Sequence, residues 1–303
     1  VQAGNKMAAS HTRPGLMGFL KSLSYEERPV FLRGDCVWGN EGAMIEFEEN
    51  GFHYLFKLKL TSGVKKLIKQ LQHVEEWIDA GQGWQGLEAM LQLQGWQKSR
   101  RVVVLRREIR GDLVLTDKQK QQMAFIEMDK TGKRYEYAIL VTSLPDAIST
   151  IAQHYRDRAD AENNFDELKN QWGWGGYTTH DLKRCRLMAR TIALIYNWWS
   201  FFVRLAIPNK HAEAITSRPL LLHAVGRQTY HGGQTTLTIT SSHAEAPKVK
   251  RILIRLTGFL REIRENASQL TWEEVWRRIL TRVFVWFLKG RALKKPLMLP
   301  CAV

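Results

Sequence analysis

Cysteine is nearly absent from this chain. Of its 303 residues only Cys36, Cys185 and Cys301 are cysteines, far apart and with no CxxC pair. That argues against a disulfide or zinc framework and for a reducing interior. Proline is also sparse, at 8 residues, while 44% of the chain is hydrophobic, which excludes a disordered tail or a fibrous protein. No stretch approaches the roughly 20 charge-free apolar residues that span a bilayer; the most apolar run, 191–207, contains Arg204. No succession of basic, apolar and small residues opens the chain as an export signal does. The expectation is a cytoplasmic protein of one large or two ordinary domains, with no membrane partner. The nine histidines show no HExxH or paired ligand spacing. No P-loop, Rossmann or G-x-S-x-G fingerprint is present, so no nucleotide cofactor is implied.

Acid is scarce at both ends. Residues 1–25 contain no Asp or Glu, and residues 275–303 contain seven Lys/Arg and no acid. Over the whole chain 45 Lys+Arg stand against 30 Asp+Glu, a formal net charge of +15. Such an excess wants a polyanion, and nucleic acid is the first candidate. The chain begins with Val1, and residues 1–7 carry no initiation or capping signal. We expect it to start partway through a longer protein.

Local patterning predicts an α/β protein. Residues 14–24 read as a helix with Leu16, Phe19, Leu20 and Leu23 on one side, followed by a brief strand over 29–34. Residues 41–50 are helical and closed by Asn50-Gly51, and 52–59 form a strong strand. Strand, helix and strand in that order suggest an α/β layer with a parallel sheet. Residues 64–94 look helical, interrupted near Gly81-Gln82-Gly83 and Gly86. Short strands follow at 101–105, 113–115, 124–128 and 135–141, the last two joined as a hairpin through 129–133. Asp146 is the expected N-cap of one long helix reaching about Gln171. A second helix covers 182–206, and the tail holds a Gly/Thr/Ser-rich piece (232–242) and two basic amphipathic helices near 248–265 and 271–289. This divides the chain into 1–59, a β-containing insertion over 60–134, a return to the α/β layer over 135–207, and a basic, mainly helical region over 208–303.

The segment most suggestive of chemistry is 155–169. At about 100° per residue, Tyr155, Arg158, Glu162 and Lys169 fall near 0°, −60°, −20° and −40° on a helix. One carboxylate flanked by two cations and a phenol suits phosphoryl chemistry, since the carboxylate can hold a divalent metal while the cations meet phosphate oxygens. The plain alternative is a solvated helix face with Arg158–Glu162 as an i,i+4 ion pair.

The same spacing, Y-(2)-R-(3)-E-(6)-K, resembles the signature of a large group of bacterial insertion-sequence DDE transposases and matches it at all four positions. Upstream, Phe31-Leu32-Arg33-Gly34-Asp35 resembles the strand that ends in that family's second catalytic Asp. Helix 41–50 and Gly51-Phe52-His53-Tyr54 follow in the family's order, and Tyr196-Asn197-Trp198-Trp199 resembles the helix after the signature. The likeness runs over roughly residues 1–207. It implies an RNase H-like catalytic core holding two Mg²⁺ or Mn²⁺ ions through an Asp-Asp-Glu triad. Its partners are double-stranded DNA (transposon terminal inverted repeats and target) and a second copy of the chain in a homodimer. Asp35 and Glu162 are then the catalytic acids and metal ligands, Tyr155 and Arg158 position phosphate, and Lys169 contacts DNA beside the cut. The family's first Asp and about three strands find no counterpart here, because the first acids, Glu26 and Glu27, lie too close to the Asp35 strand. The core is therefore expected to be partial, and this polypeptide to be inactive alone; the rival reading is a non-catalytic DNA-binding remnant occupying transposon ends.

Two further features follow from composition. The resemblance implies an aromatic base acceptor in the insertion; no Trp lies between Gln97 and Gln171, which leaves Tyr135, Tyr137 and Trp96 as stacking candidates, with buried strand aromatics as the plain reading. Lys98, Arg100, Arg101, Arg106, Arg107 and Arg110 oppose one acid, Glu108, and alternate as a cationic strip for phosphates would, or as a solvated sheet face.

Overall fold

Four residues in a row on one strand, Val102, Val103, Val104 and Leu105, are buried, so that strand must be covered on both faces. In the computed structural model, which describes residues 8–109, 125–128, 133–208, 212–222, 226–239 and 245–291, it is β5 (Arg100–Glu108). It lies between β4 (Trp84–Leu91) and β7 (Arg134–Thr142), antiparallel to both. The sheet continues outward from β7 through β2 (Tyr54–Lys57) to β1 (Leu32–Gly34), and from β4 to β3 (Ile78–Gly81). β6 (Phe125–Met128) also pairs with β7, which completes seven strands. β1 and β2 are parallel, with Leu32 opposite Tyr54; every other pair in the sheet is antiparallel. The strands of the 60–134 segment thus hydrogen-bond into the same sheet as β1 and β2.

Side-chain alternation splits the core between two faces. Val102, Val104, Ile139 and Val141 join Met44 and Phe47 of α2 (Glu41–Glu49) and Val64 and Ile68 of α3 (Ser62–Leu71). Met17 and Leu20 of α1 (Ala8–Ser22) add to that face. Val103, Leu105 and Leu140 pack instead on Ile148, Ile151 and Ala152 of α4 (Ile148–Arg156). Gly86 makes this second layer fit. A Cβ there would sit 2.3 Å from the Ile148 side chain, so β4 has to be bare where the first turn of α4 crosses it.

The chain divides between Glu162 and Asn163 into two compact units. Helix α5 (Arg158–Gln171) runs across that division. The second unit contains α6 (Leu182–Ala206), α7 (Ala214–Leu222), α8 (Ala246–Glu265), α9 (Trp272–Val283) and the single turn α10 (Val285–Leu288). Its apolar cluster is small, built on Leu205, Leu256, Phe259 and Val283. A separate antiparallel hairpin, β8 (Gly226–His231) with β9 (Gln234–Ile239), stands outside the main sheet.

Several expectations change. Residues 78–91 are a hairpin, with Gly81, Gln82 and Gly83 all at positive φ in its turn; helix-favouring Glu88, Ala89 and Met90 are overridden by the ladder to β5. Asp146 caps nothing: the N-cap of α4 is Ala147, with no side-chain bond. The long helix is interrupted at Asp157. The 232–242 piece contains a strand, and Trp198 on α6 is 69% exposed. Phe19 likewise faces water while Met17 takes its place in the core. The expected strand 113–115, Arg110 and the turn 129–132 lie outside the described residues.

Candidate active site

Two ties bring β1 to the end of α4. Arg33 donates from Nη1 to the His154 carbonyl in the last turn of α4, and the His154 ring lies 4.9 Å from that of Phe31. A guanidinium at a helix C-terminus satisfies an otherwise orphaned carbonyl and meets the negative end of the helix dipole. On the other side of α4, Arg101 donates to the carbonyls of Leu144 and Asp146 and pairs with Glu88 at 2.7 Å. That fixes the link from β7 into α4, and with it Tyr155.

Asp35 follows β1 directly. Its Oδ1 accepts the Val37 N–H at 3.0 Å and its carbonyl accepts the Trp38 N–H at 3.1 Å, a local Asx turn. Arg158 and Glu162 sit one turn apart on α5, with Nη2 2.6 Å from Oε1. Glu162 is half-exposed, and the Arg158 guanidinium also lies 5.6 Å from the centroid of the Tyr155 ring. Burial raises the pKa of the Tyr155 phenol; Arg158 opposes that shift, while the Asp35 and Glu162 carboxylates add to it. Both acids are therefore in electrostatic reach of one phenol, although 127 positions of sequence separate them. The phenol keeps its proton at neutral pH and acts as a hydrogen-bond donor. Tyr155 lies on α4 and the other residues on α5, so their meeting rests on the break at Asp157 and not on one continuous helical face. Lys169 is exposed, two turns beyond Glu162 on α5, in the unit that begins at Asn163.

The remaining candidates have partners within the protein. Arg100 is 4% exposed and lies between Glu41 (2.5 Å) and Glu48 (2.8 Å). Lys98 meets Glu48 at 3.0 Å, and Tyr54 donates its hydroxyl to the same carboxylate at 2.7 Å. Burial alone would raise the Glu48 carboxyl, but hydrogen bonds from Arg100, Tyr54 and Lys98 outweigh it and hold the pKa at about 2. Arg106 donates to Gln85 and stacks over Trp77 and Tyr135, at 4.0 and 4.7 Å from the ring centroids. Arg107 pairs with Glu136 and covers Trp84. An open cavity of about 610 Å³ is lined by these two arginines with Asp79, Trp84 and Tyr135. Tyr135 and Tyr137 belong to the core, and Trp96 packs against it beneath the Arg100 guanidinium. Sequence inspection did not single out Arg33 or Gly86; a cation two residues before the strand-end Asp was the visible sign of the first.

The second unit has its own buried acid. Glu167, 3% exposed, accepts the Ala214 N–H at 2.8 Å at the start of α7, the Trp172 indole N–H at 3.4 Å and the Tyr196 hydroxyl at 3.4 Å. Among the described residues no three His, Cys, Asp or Glu side chains form a group able to hold a metal ion.

Residues 3–259 match the transposase DDE domain, group 1. The match spans most of the chain, which belongs to that family; its mixed α/β sheet with covering helices is consistent with such a domain. No curated protein matches the chain. The family acts on DNA and generally uses divalent metal ions. No helix among the described residues is long and apolar enough to cross a membrane.

Proposed function

We propose that the chain carries the strand-cleaving and strand-joining site of a cut-and-paste transposase, with Asp35 and Glu162 as two of its acids. The observation that supports this most directly is the Arg158–Glu162 pair beside the Tyr155 ring, with Asp35 following a strand that Arg33 ties to the last turn of the Tyr155 helix. Two carboxylates suit one hydrated Mg²⁺ or Mn²⁺, which is commonly held by one or two carboxylates, waters and substrate phosphate. When bound, the ion would polarise a phosphate oxygen as a Lewis acid. Arg158 has guanidinium donors beyond the one given to Glu162 and would meet a non-bridging phosphate oxygen. Tyr155 would donate its proton to a second oxygen, and Lys169 would hold DNA flanking the cut. The substrates are the terminal inverted repeats and target DNA, handled by a homodimer in the nucleoid.

Among the described residues no third acid completes a metal-holding group, so we assign no step to the second ion that the resemblance implied. The same observation supports a narrower reading for this polypeptide taken alone: it occupies DNA without cutting it. The test incubates the full chain with labelled duplex in Mg²⁺ or Mn²⁺. Retention of the duplex without nicking is expected. Metal-dependent nicking overturns the narrower reading, and failure to retain duplex even at low salt overturns the DNA reading altogether.

A further inference from the structure

Among the described residues, no layer covers the hairpin β8–β9. Every described side chain from Arg227 to Thr238 is exposed, on both faces. An isolated two-stranded hairpin gains little from its own contacts, so its chemistry has to be explained by what it meets. The turn is two residues, Gly232 and Gly233, both at positive φ, as a type I′ connection requires. The register then fixes the two faces. Arg227 opposite Thr238, Thr229 opposite Thr236, and His231 opposite Gln234 share one face; Gln228 opposite Leu237 and Tyr230 opposite Thr235 share the other.

The first face consists entirely of hydrogen-bonding side chains, and residues 226–239 contain no Asp or Glu. Two antiparallel strands about 4.8 Å apart form a ribbon that the major groove of B-DNA, about 12 Å wide, admits. Six residues per strand extend about 20 Å, alongside about six base pairs. A face of this kind carries the groups that read base edges: Arg for guanine, Gln for adenine, and Thr for either a polar edge or the thymine methyl.

We propose that β8–β9 is a DNA-reading ribbon, separate from the acid pair, whose Arg227–Gln234 face enters the major groove and contributes sequence preference. The proposal rests on the DNA reading above, but not on the assignment of Asp35 or Glu162. Arg227 and Gln234 stand four rows apart, about 14 Å along the ribbon. They should therefore govern a guanine and an adenine about four base pairs apart.

The experiment selects duplexes from a random-sequence library with the full chain, then repeats the selection with Arg227→Ala, Gln234→Ala and the Thr229→Val/Thr236→Val pair. The wild-type chain should enrich a consensus. Each ribbon variant should relax its own position, lowering the ratio of consensus to scrambled-duplex affinity about 10- to 100-fold while affinity for the scrambled duplex falls less than about threefold. The valine pair keeps the strands β-branched, and far-UV circular dichroism of each variant verifies the fold. An unchanged consensus in folded variants overturns the ribbon proposal and leaves DNA binding standing. A uniform loss on all duplexes, as for a phosphate contact, overturns it too, as does a shift in oligomeric state with no change in consensus. Failure of the wild-type chain to bind any duplex defeats the DNA reading itself.

Discussion

In the unit that ends at Glu162, the arginines of β5 are bound to the protein: Arg100 to Glu41 and Glu48, Arg101 to Glu88 and two carbonyls, Arg107 to Glu136. In the unit that begins at Asn163, Arg251 and Arg255 stand exposed on α8 while Val249, Ile252, Leu256 and Phe259 fill its inner face. The two architectures account for the difference. A central strand is covered on both faces, so a cation buried at its start, as Arg100 is, loses water and needs a carboxylate. A surface helix turns its cations outward and keeps them hydrated. An excess of positive charge is thus spread over two kinds of site, and only the second kind leaves charge available to a polyanion.

The comparison breaks most readily at Arg100. Arg100→Ala removes the buried cation shared by Glu41 and Glu48, leaving only the exposed Lys98 on Glu48, and should cost roughly 3–5 kcal/mol, visible as a lower midpoint in urea. The same network fixes an acid limb. The Glu48 pKa is depressed in the folded state, so its contribution is fully present above the ordinary carboxylate value of 4.5 and disappears as pH falls from there towards about 2. Stability measured across that window should fall in the wild type and be much flatter in Glu48→Gln. A steep limb that survives Glu48→Gln would assign acid sensitivity to other groups.

Glu167 gives the next largest effect, in the other unit. Glu167→Ala removes the acceptor for the buried Ala214 N–H and two side-chain donors, for a loss of about 1–3 kcal/mol. Glu167→Gln retains an acceptor and should recover most of it in thermal unfolding. An alanine variant as stable as wild type would mean that α7 is held by its apolar contacts alone.

Elements with strong local signals were legible in the sequence. Helix 182–206 matched to the residue, since Asp181 caps it by accepting from Lys183 and Arg184 and Gly173–Gly176 stop the helix before it. Residues 101–105, dense in valine, are a strand for the same reason that they were expected to be. The hairpin 78–91 was not legible because Glu88-Ala89-Met90 favour a helix locally and only the pairing to β5 decides otherwise. In β8–β9 the Gly-Gly turn was visible, but polar residues on both sides gave no apolar alternation to mark strands. At the site, helical spacing placed Arg158 beside Glu162. It carried no information on the approach of the Asp35 strand to α4, which depends on β1 pairing with β2 and on Arg33 reaching across to His154.

The smallest stability effect belongs to the residue with the largest proposed role. Glu162 is 56% exposed and its pair with Arg158 is an i,i+4 contact on a helix surface, which contributes about 0.3–0.5 kcal/mol. Glu162→Gln should therefore unfold within about 0.5 kcal/mol of wild type, against several for Arg100→Ala. Its effect should instead fall on Mn²⁺. Titration of the full chain, followed by the relaxation of water protons, should show the wild type taking up the ion more tightly than the variant, with Asp35→Asn weakened to a similar degree. Equal weakening in both single variants, with little further loss in the double, is what two ligands of one ion produce, because either substitution breaks the same site. Independent, additive losses would instead mean that the two carboxylates serve separate sites, and the approach of both to Tyr155 would then be a matter of packing alone.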